Sequence, residues 1–313
     1  VRAPDAAGIA AAVDALARGA LVGLPTETVY GLAADATDAM AVARIFAAKQ
    51  RPRFNPLIAH VAGTEDAVTH GVFDSRARLL ADALWPGPLT LVVPRRTESA
   101  VCDLARAGLK TIALRVPSHP VAREVITRFG KPIAAPSANR SGHVSATTAQ
   151  HVVDDLGASV ALVLDAGPAP AGIESTILGL FGDAPVLLRP GAVPRERIEA
   201  LLGEPLSAPS RAPTIAPGML ESHYAPRAPL RLDATEVRPG EALLGFGPAL
   251  PPGTMKRLNL SRRGDLVEAA ANLFGHLRTL DAMNPSTIAV MPIPREGLGE
   301  AIRDRLARAA KGR

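Results

Sequence analysis

Cysteine occurs once in the 313 residues, at Cys102, so neither an intrachain disulfide nor a thiolate metal cluster can form. That residue reads as a small packing group. Aromatic side chains make up 3 %, too few for the stacking platform of a single-strand nucleic-acid binder. Apolar runs fall short of the about 20 residues that cross a bilayer. The first residues lack the basic segment and apolar stretch of a secretory leader. These features predict a protein of the reducing cytoplasm with no membrane attachment. Several catalytic signatures are missing too: there is no GxxxxGK[ST] phosphate loop, no GxGxxG fingerprint, no HExxH and no G-x-S-x-G elbow. The seven histidines are scattered, which argues against a zinc site. A nucleotide enzyme made from this chain must hold phosphates by another arrangement.

In bulk the chain is ordinary. Its 47 % hydrophobic and 21 % charged residues belong to a soluble globular protein, and its length predicts two domains rather than one core. The net charge is +5, carried mostly by arginine and spread along the chain. RNA, nucleotide phosphates and a merely arginine-rich composition all account for that.

Periodicity divides the chain. Ile9, Val13 and Leu16 predict a first helix, followed by a strand in ALVGLP. Asp38 is placed to cap a second helix with Val42, Ile45 and Phe46 on one face and Lys49 at its end. Strands are expected in PLIAHV, LTLVV, TIALRVP, KPIAAP, VALVLDAG, STILGL and PVLLRP. Helices are expected at 74–84, in PVAREVITRFG, near 147–156 and at 194–202. Such alternation predicts an α/β domain with a mixed sheet over residues 1–202. From 203 to 229 the pattern lapses into a Pro-, Ala- and Ser-rich linker, which marks a domain boundary or a functional lid. Over 230–313 a smaller α/β domain follows. It has strands in EALLGFG and TIAVMPIP and a helix facing inward through Leu266, Ala270, Leu273, Leu277 and Leu280. A basic final helix, GLGEAIRDRLARAA, closes it.

Six segments carry candidate chemistry. LPTETVYGLAADAT (24–37) offers Thr26, Glu27 and Thr28, either as a polar loop or as a strand-to-helix connection whose threonines satisfy local backbone. KQRPRFNPL stiffens Arg51, Arg53 and Asn55 between prolines, and fixed guanidinium forks suit phosphate oxygens. The alternative is a wet, charge-rich turn. APSANRSGHVSAT (135–147) can form an anion-binding nest of backbone N–H groups, or only a turn and an N-cap. GIESTILG places Glu174, Ser175 and Thr176 at a strand start, and LLRPG ends a strand with Arg189. Thr111 and Arg115 share one face of TIALRVP and could meet one ligand. Polar groups thus recur at strand ends, where α/β proteins build sites.

In order and spacing, PTETVYGL, KQRP…NPL, LRVP, PSANRSG, EST and RPG resemble the YrdC/Sua5 family, and PGMLESHYAP resembles the inter-domain signature of its longer, Sua5-type members. The resemblance implies a twisted mixed sheet with a positively charged concave cavity, and a Rossmann-like C-terminal domain. It implies an adenylate-forming nucleotidyltransferase that joins L-threonine, bicarbonate or CO₂ and ATP into threonylcarbamoyladenylate and pyrophosphate. Mg²⁺ would accompany ATP, with no protein metal ligand assigned. A downstream transferase would use the product to modify adenosine 37 of tRNA; direct tRNA contact is left open. Carried over by motif, Lys49, Arg51, Ser137 and Asn139 would form the polar tetrad at the phosphates and reacting carboxylate. Thr28, His60, Arg115, Ala135 and Ser175 would contact threonine, with Arg115 taking its carboxylate. Asn55, Thr111, Ser145, Arg189 and Tyr224 would hold ATP, and His223 with Tyr224 would form part of a lid. Gly179 and the run Leu220, Glu221 and Ser222 depart from the family pattern. An RNA-binding or ribosome-associated factor of the same fold, and a transferase acting on another amino acid, are the competing readings.

Overall fold

The computed structural model describes residues 1–209 and 223–312. Strands β1 (Val22–Leu24), β2 (Gly31–Asp35), β3 (Ile58–His60), β4 (Leu89–Pro94), β5 (Thr111–Arg115), β6 (Ile133–Ala134), β7 (Leu162–Val163), β8 (Thr176–Gly179) and β9 (Val186–Arg189) form one mixed sheet. Their order is β7-β1-β2-β6-β3-β5-β4-β8-β9. The accompanying helices are α1 (Ala6–Ala17), α2 (Ala39–Lys49), α3 (Thr64–His70), α4 (Ser75–Leu84), α5 (Pro120–Phe129), α6 (Ala149–Leu156) and α7 (Arg195–Leu202). A second sheet, wholly parallel and ordered β10-β13-β11-β12, takes β10 (Leu230–Arg231), β11 (Glu241–Gly245), β12 (Arg257–Asn259) and β13 (Thr287–Val290). Helices α8 (Leu266–Ala282) and α9 (Leu298–Ala309) pack on it.

Caps set the helix starts where the sequence places them. The Asp38 carboxylate accepts from Met40 N at 2.8 Å, and Asp74 accepts from Ala77 N at the head of α4. The end of α2 matters more. Gln50 adopts a left-handed conformation, φ 52°, and Arg51 N–H returns to Phe46 O at 2.9 Å. This closure turns the chain sharply just where Lys49 and Arg51 leave the helix. Other local expectations yield to tertiary pairing. Residues 24–37 are not a strand-to-helix connection, because Gly31–Asp35 pairs back antiparallel onto β1. Helix α3 and the short strands β10 and β12 carry too few periodic residues to be seen in sequence.

Helix cover differs from one end of the first sheet to the other. One face packs Leu32, Leu91 and Leu114 against Val42, Ile45, Leu80 and Ile198. Cys102 packs against this cluster, half-buried. The opposite face of β1 and β6 is covered by α1 and α5 through Leu16, Val125 and Ile126. Over β3, β4, β5, β8 and β9 that face carries only a small group of Ile58, Val92, Ala113, Ile177 and Leu188. His60 and Arg115 are paired in register and follow Ile58 and Ala113 on this side. A bulge at Leu188 gives β9 an extra residue, so Arg189 stands opposite Ile177 on the same face. The second core does not stop at its own sheet. Val29, Val144, Ile173 and Tyr224 belong to the cluster formed with α8 and α9.

Two glycines let backbones touch at this junction. Gly172 has φ +65° and a Cβ there would stand 2.5 Å from Ala270 O and Ala271 atoms on α8. A Cβ at Gly191 would stand 2.4 Å from the Ser175 carbonyl carbon and Thr176 N. Gly191→Ala should therefore destabilise the fold by about 1–3 kcal/mol through overpacking, read as a lower urea midpoint. An unchanged midpoint would show that the start of β8 yields freely.

Candidate active site

The uncovered strand face opens on a small cavity of ≈ 40 Å³. Thr28, Arg51, Arg115, Ser137, Ser175 and Arg189 line it, with His223 and Tyr224 as roof; Val29, Ile58, Ala135, Pro136 and Glu174 complete the wall. A larger groove of ≈ 440 Å³ lies between β9, α7 and α9, but its charged groups Arg195, Glu300, Arg303 and Arg308 are engaged in ion pairs.

The buried cations converge here. Lys49, 1 % exposed, donates its ammonium hydrogens to the backbone carbonyls of Ser137 and Asn139. Burial, and then the charge of Arg51, push its pKa well below the ordinary lysine value. Arg51 donates from Nε to Asn55 O at 3.2 Å and from Nη2 to Pro56 O at 2.9 Å. Burial lowers its pKa to about 10. Arg115 donates from Nη2 to Glu27 Oε1 at 2.7 Å and to Thr28 Oγ1 at 2.9 Å. Burial drives the Glu27 carboxyl upward, but Arg115 together with backbone N–H donors outweighs it and the net shift is downward. Arg189 reaches Ser175 O at 2.8 Å and Ser175 Oγ at 3.1 Å, and that hydroxyl also meets Thr90 Oγ1 at 2.8 Å.

In the PSANRSG segment and at the His143 that follows, four amide donors already serve backbone: Ala138 N to Tyr30 O, Asn139 N to Ser137 O, Ser141 N to Lys49 O and His143 N to Arg140 O. The segment's carbonyls clasp the Lys49 ammonium. Ser145 Oγ donates to Glu174 Oε1 at 2.5 Å. Asn139 donates to Arg140 O and His143 O, leaving its Oδ1 buried and unpartnered. Other unpartnered buried polar atoms gather in the same place: Glu27 Oε2, both amide atoms of Asn55, His60 Nδ1, His223 Nδ1 and the Tyr224 hydroxyl. Buried polar groups are ordinarily paired, so this concentration marks a place shaped for a polar ligand.

Thr28, Arg51, Arg115, Ala135, Ser137, Ser175, Arg189, His223 and Tyr224 thus share one cavity wall. Lys49, Asn55, His60, Asn139 and Ser145 are buried directly behind it. Thr111 does not line it. It opens β5 opposite Pro94, four residues and about 13 Å of strand from Arg115. Leu220, Glu221 and Ser222 lie outside the described residues. Gly179 ends β8, and a Cβ there would meet the Phe181 ring at 2.6 Å, so packing accounts for a glycine. Sequence reading named Glu27 and Glu174 without seeing them as counter-ions, and it missed Arg305. That arginine of the basic final helix is fully buried, and its Nε donates to Glu174 Oε2 at 2.8 Å. The available signal was its position: Arg305 follows Ala301 by four residues and Ile302 by three, on the apolar face of α9.

Buried cations gathered from the end of α2 and the turn after it, from β5 and from β9, under a roof contributed by the chain entering a second α/β domain, define an α/β protein with a cation-lined cavity. Two family models match in tandem. The Sua5/YciO/YrdC model, described as "Telomere recombination", covers residues 14–191, and "Threonylcarbamoyl-AMP synthase, C-terminal domain" covers 193–311. The chain belongs to the Sua5/YciO/YrdC family, in the branch that carries the Sua5 C-terminal domain. The threonylcarbamoyl-AMP synthase of Bacillus subtilis is 40 % identical, with 97 % of this chain and 93 % of that protein aligned. The crystal structure of Pyrococcus abyssi Sua5 complexed with L-threonine superposes with a TM-score of 0.89 at 36 % identity, covering 97 % of this chain and 94 % of that one. A P. abyssi Sua5 variant with a His and the following Tyr both changed to Ala matches at a TM-score of 0.87 and 36 % identity, covering 97 % and 92 %.

His60 and His223 supply a pH test. Burial first, with nearby arginine charge second for His60, lowers both from 6.5 to about 3. The folded chain therefore refuses a proton that the unfolded chain accepts, so their contribution is full above pH 6.5 and declines as pH falls toward 3. His60→Asn should reduce the stability lost between pH 7 and pH 5 by about 2 kcal/mol, measured by urea unfolding. An identical pH slope in wild type and variant would contradict the assigned neutral imidazole.

Proposed function

We propose that this chain is a threonylcarbamoyl-AMP synthase, forming threonylcarbamoyladenylate and pyrophosphate from L-threonine, bicarbonate or CO₂ and ATP. One observation carries the reading. Lys49, Arg51, Arg115, Arg189 and Arg305 are buried around one cavity, against two buried carboxylates, Glu174 in its wall and Glu27 beside Arg115, each already paired to an arginine. Such a surplus calls for anions, and a carbamate meeting a triphosphate supplies them. The full-length likeness to synthases, and to a Sua5 with threonine bound, supports the particular reaction.

In this reading Arg115 takes the threonine carboxylate, with Thr28, His60, Ala135 and Ser175 around the amino acid. Its amine adds to CO₂, and one carbamate oxygen then attacks the α-phosphorus of ATP, expelling pyrophosphate. Lys49 and Arg51, with Ser137 and Asn139, meet the charge that develops there. Asn55, Thr111, Ser145, Arg189 and Tyr224 hold the nucleotide, and Thr111, at the far end of β5, would touch only a distal part of it. No side-chain nucleophile is needed, in keeping with a sequence that carries no G-x-S-x-G elbow. Magnesium enters as the counter-ion of ATP. Among the described residues no three His, Cys, Asp or Glu side chains stand together as a resident site.

Residues 1–202 serve as the catalytic unit, 203–229 as linker and lid, and 230–313 as the C-terminal domain; 210–222 lie outside the described residues. A nucleotide needs about 300 Å³ or more, against the ≈ 40 Å³ beneath His223 and Tyr224. The pair must therefore swing out for entry, and its return would shield the carbamate and the mixed anhydride from water. The product passes to a tRNA-modifying transferase in the cytoplasm. Among the described residues no helix is long and apolar enough to cross a membrane.

Pyrophosphate release from ATP tests the reading, with threonine and bicarbonate omitted in turn. Release that needs both supports it. Release without threonine points to another acceptor, and no release, combined with salt-sensitive RNA binding, points to a binding factor. Arg51→Ala should lower turnover at least about 100-fold while leaving a cooperative thermal transition. Turnover within a few-fold of wild type would remove Arg51 from the reacting centre.

A further inference from the structure

The first domain does not finish its own cavity. From α9 of the C-terminal domain, Arg305 sends a fully buried guanidinium to three separate segments of the cavity border. Its Nε donates to Glu174 Oε2 at 2.8 Å, immediately before the cavity-lining Ser175. Its Nη2 donates to Pro190 O at 2.9 Å, immediately after Arg189. Its plane lies over the Tyr224 ring, 5.0 Å from guanidinium carbon to centroid. The remaining nitrogen is held by Asp304 Oδ2 at 2.5 Å, so the group is oriented rather than free to rotate.

Each contact fixes something that local structure leaves loose. Tyr224 has φ 65°, a left-handed backbone that an aromatic residue seldom adopts. Its ring stacks on Phe274 of α8 at 5.6 Å and meets His223 at 4.0 Å, while Ala225 N is tied to Gly142 O. Two of the ring's neighbours, Arg305 and Phe274, therefore come from the C-terminal domain. Glu174 in turn bridges Arg305 to Ser145, joining α9 to the segment before α6.

The geometry assigns to Arg305 the role of a positioning residue: one guanidinium from the C-terminal domain sets the place of Glu174, the Arg189–Pro190 turn and the Tyr224 roof, so the site is completed by both domains. Its consequence for turnover rests on the proposed synthase activity; its consequence for the roof does not. Arg is required because a planar fork can serve two acceptors and a ring face together, which a lysine ammonium cannot.

The test uses the full chain. Removing Arg305 alone strands a buried carboxylate, so Arg305→Met is combined with Glu174→Gln to restore neutrality. Arg195→Met with Glu300→Gln removes another ion pair between the domains, outside the cavity, and serves as control. Tyrosine nitration by tetranitromethane, mapped by peptide mass, reads the roof directly, because the chain has only Tyr30 and Tyr224. In the Arg305/Glu174 variant Tyr224 should react at least about tenfold faster while Tyr30 and the control pair keep wild-type protection. Threonine-dependent pyrophosphate release should fall in kcat/KM by about tenfold or more at a thermal midpoint close to wild type, with the control unaffected. Wild-type nitration and kinetics in the folded double variant, or equal losses in the control, would overturn the assignment. Should the double variant not fold, Arg305→Lys is read by the same two measures, and wild-type values there overturn it equally. A wild-type chain without activity but with the expected nitration pattern would sink the synthase reading and leave the positioning role standing.

Discussion

Burying a cation away from water costs several kcal/mol unless partners replace its hydration, and this fold buries five around a single cavity. Backbone carbonyls take most of that burden. Ser137 and Asn139 hold Lys49, Asn55 and Pro56 hold Arg51, and Ser175 holds Arg189. Carbonyls solvate a cation without neutralising it, so the field at the cavity stays positive. The two buried carboxylates nearby are each occupied, Glu27 by Arg115 and Glu174 by Arg305. The left-handed turn at Gln50 and the bulge in β9 stand beside Arg51 and Arg189 and set the direction in which those two side chains leave the backbone.

Preorganisation of this kind suits a reaction between two anions. The donors are set by rigid elements: Lys49 by the end of α2, Arg115 by β5, Arg189 by the bulge in β9. Donors fixed in this way are what electrostatic catalysis requires in general, because they need not reorganise when charge develops. The same rigidity restricts the small cavity, which His223 and Tyr224 roof from the chain entering the second domain.

The second domain is joined through more than a tether. Its core includes Val29, Val144, Ile173 and Tyr224 from the cavity side, and Gly172 permits backbone contact with α8. Glu174 is held ionised at about 2: burial would raise it, but Arg305 first, with Arg189 and the Ser145 hydroxyl, outweighs burial. A charge on α9 therefore helps decide the protonation state of a residue in the cavity wall. Surface ion pairs such as Arg195–Glu300 add little by comparison, because solvent screens them.

Much of this was legible in the order of residues. Helix caps at Asp38 and Asp74, the strand cores, the inward stripe of α8 and the short polar motifs depend on near neighbours, and local geometry carries such information. The motifs contain nearly all the residues that line the cavity. What linear order could not express was pairing across the fold. Glu27 with Arg115 is a contact over 88 residues and Glu174 with Arg305 one over 131. A basic helix and a buried arginine look alike until packing shows which face is inward. By itself the sequence determined the elements, their caps and the family of motifs, all short-range properties of the backbone and side chains. Only the tertiary structure decided which charges are buried, which are paired and which remain to meet a ligand, because burial and counter-ions exist only once distant segments come together.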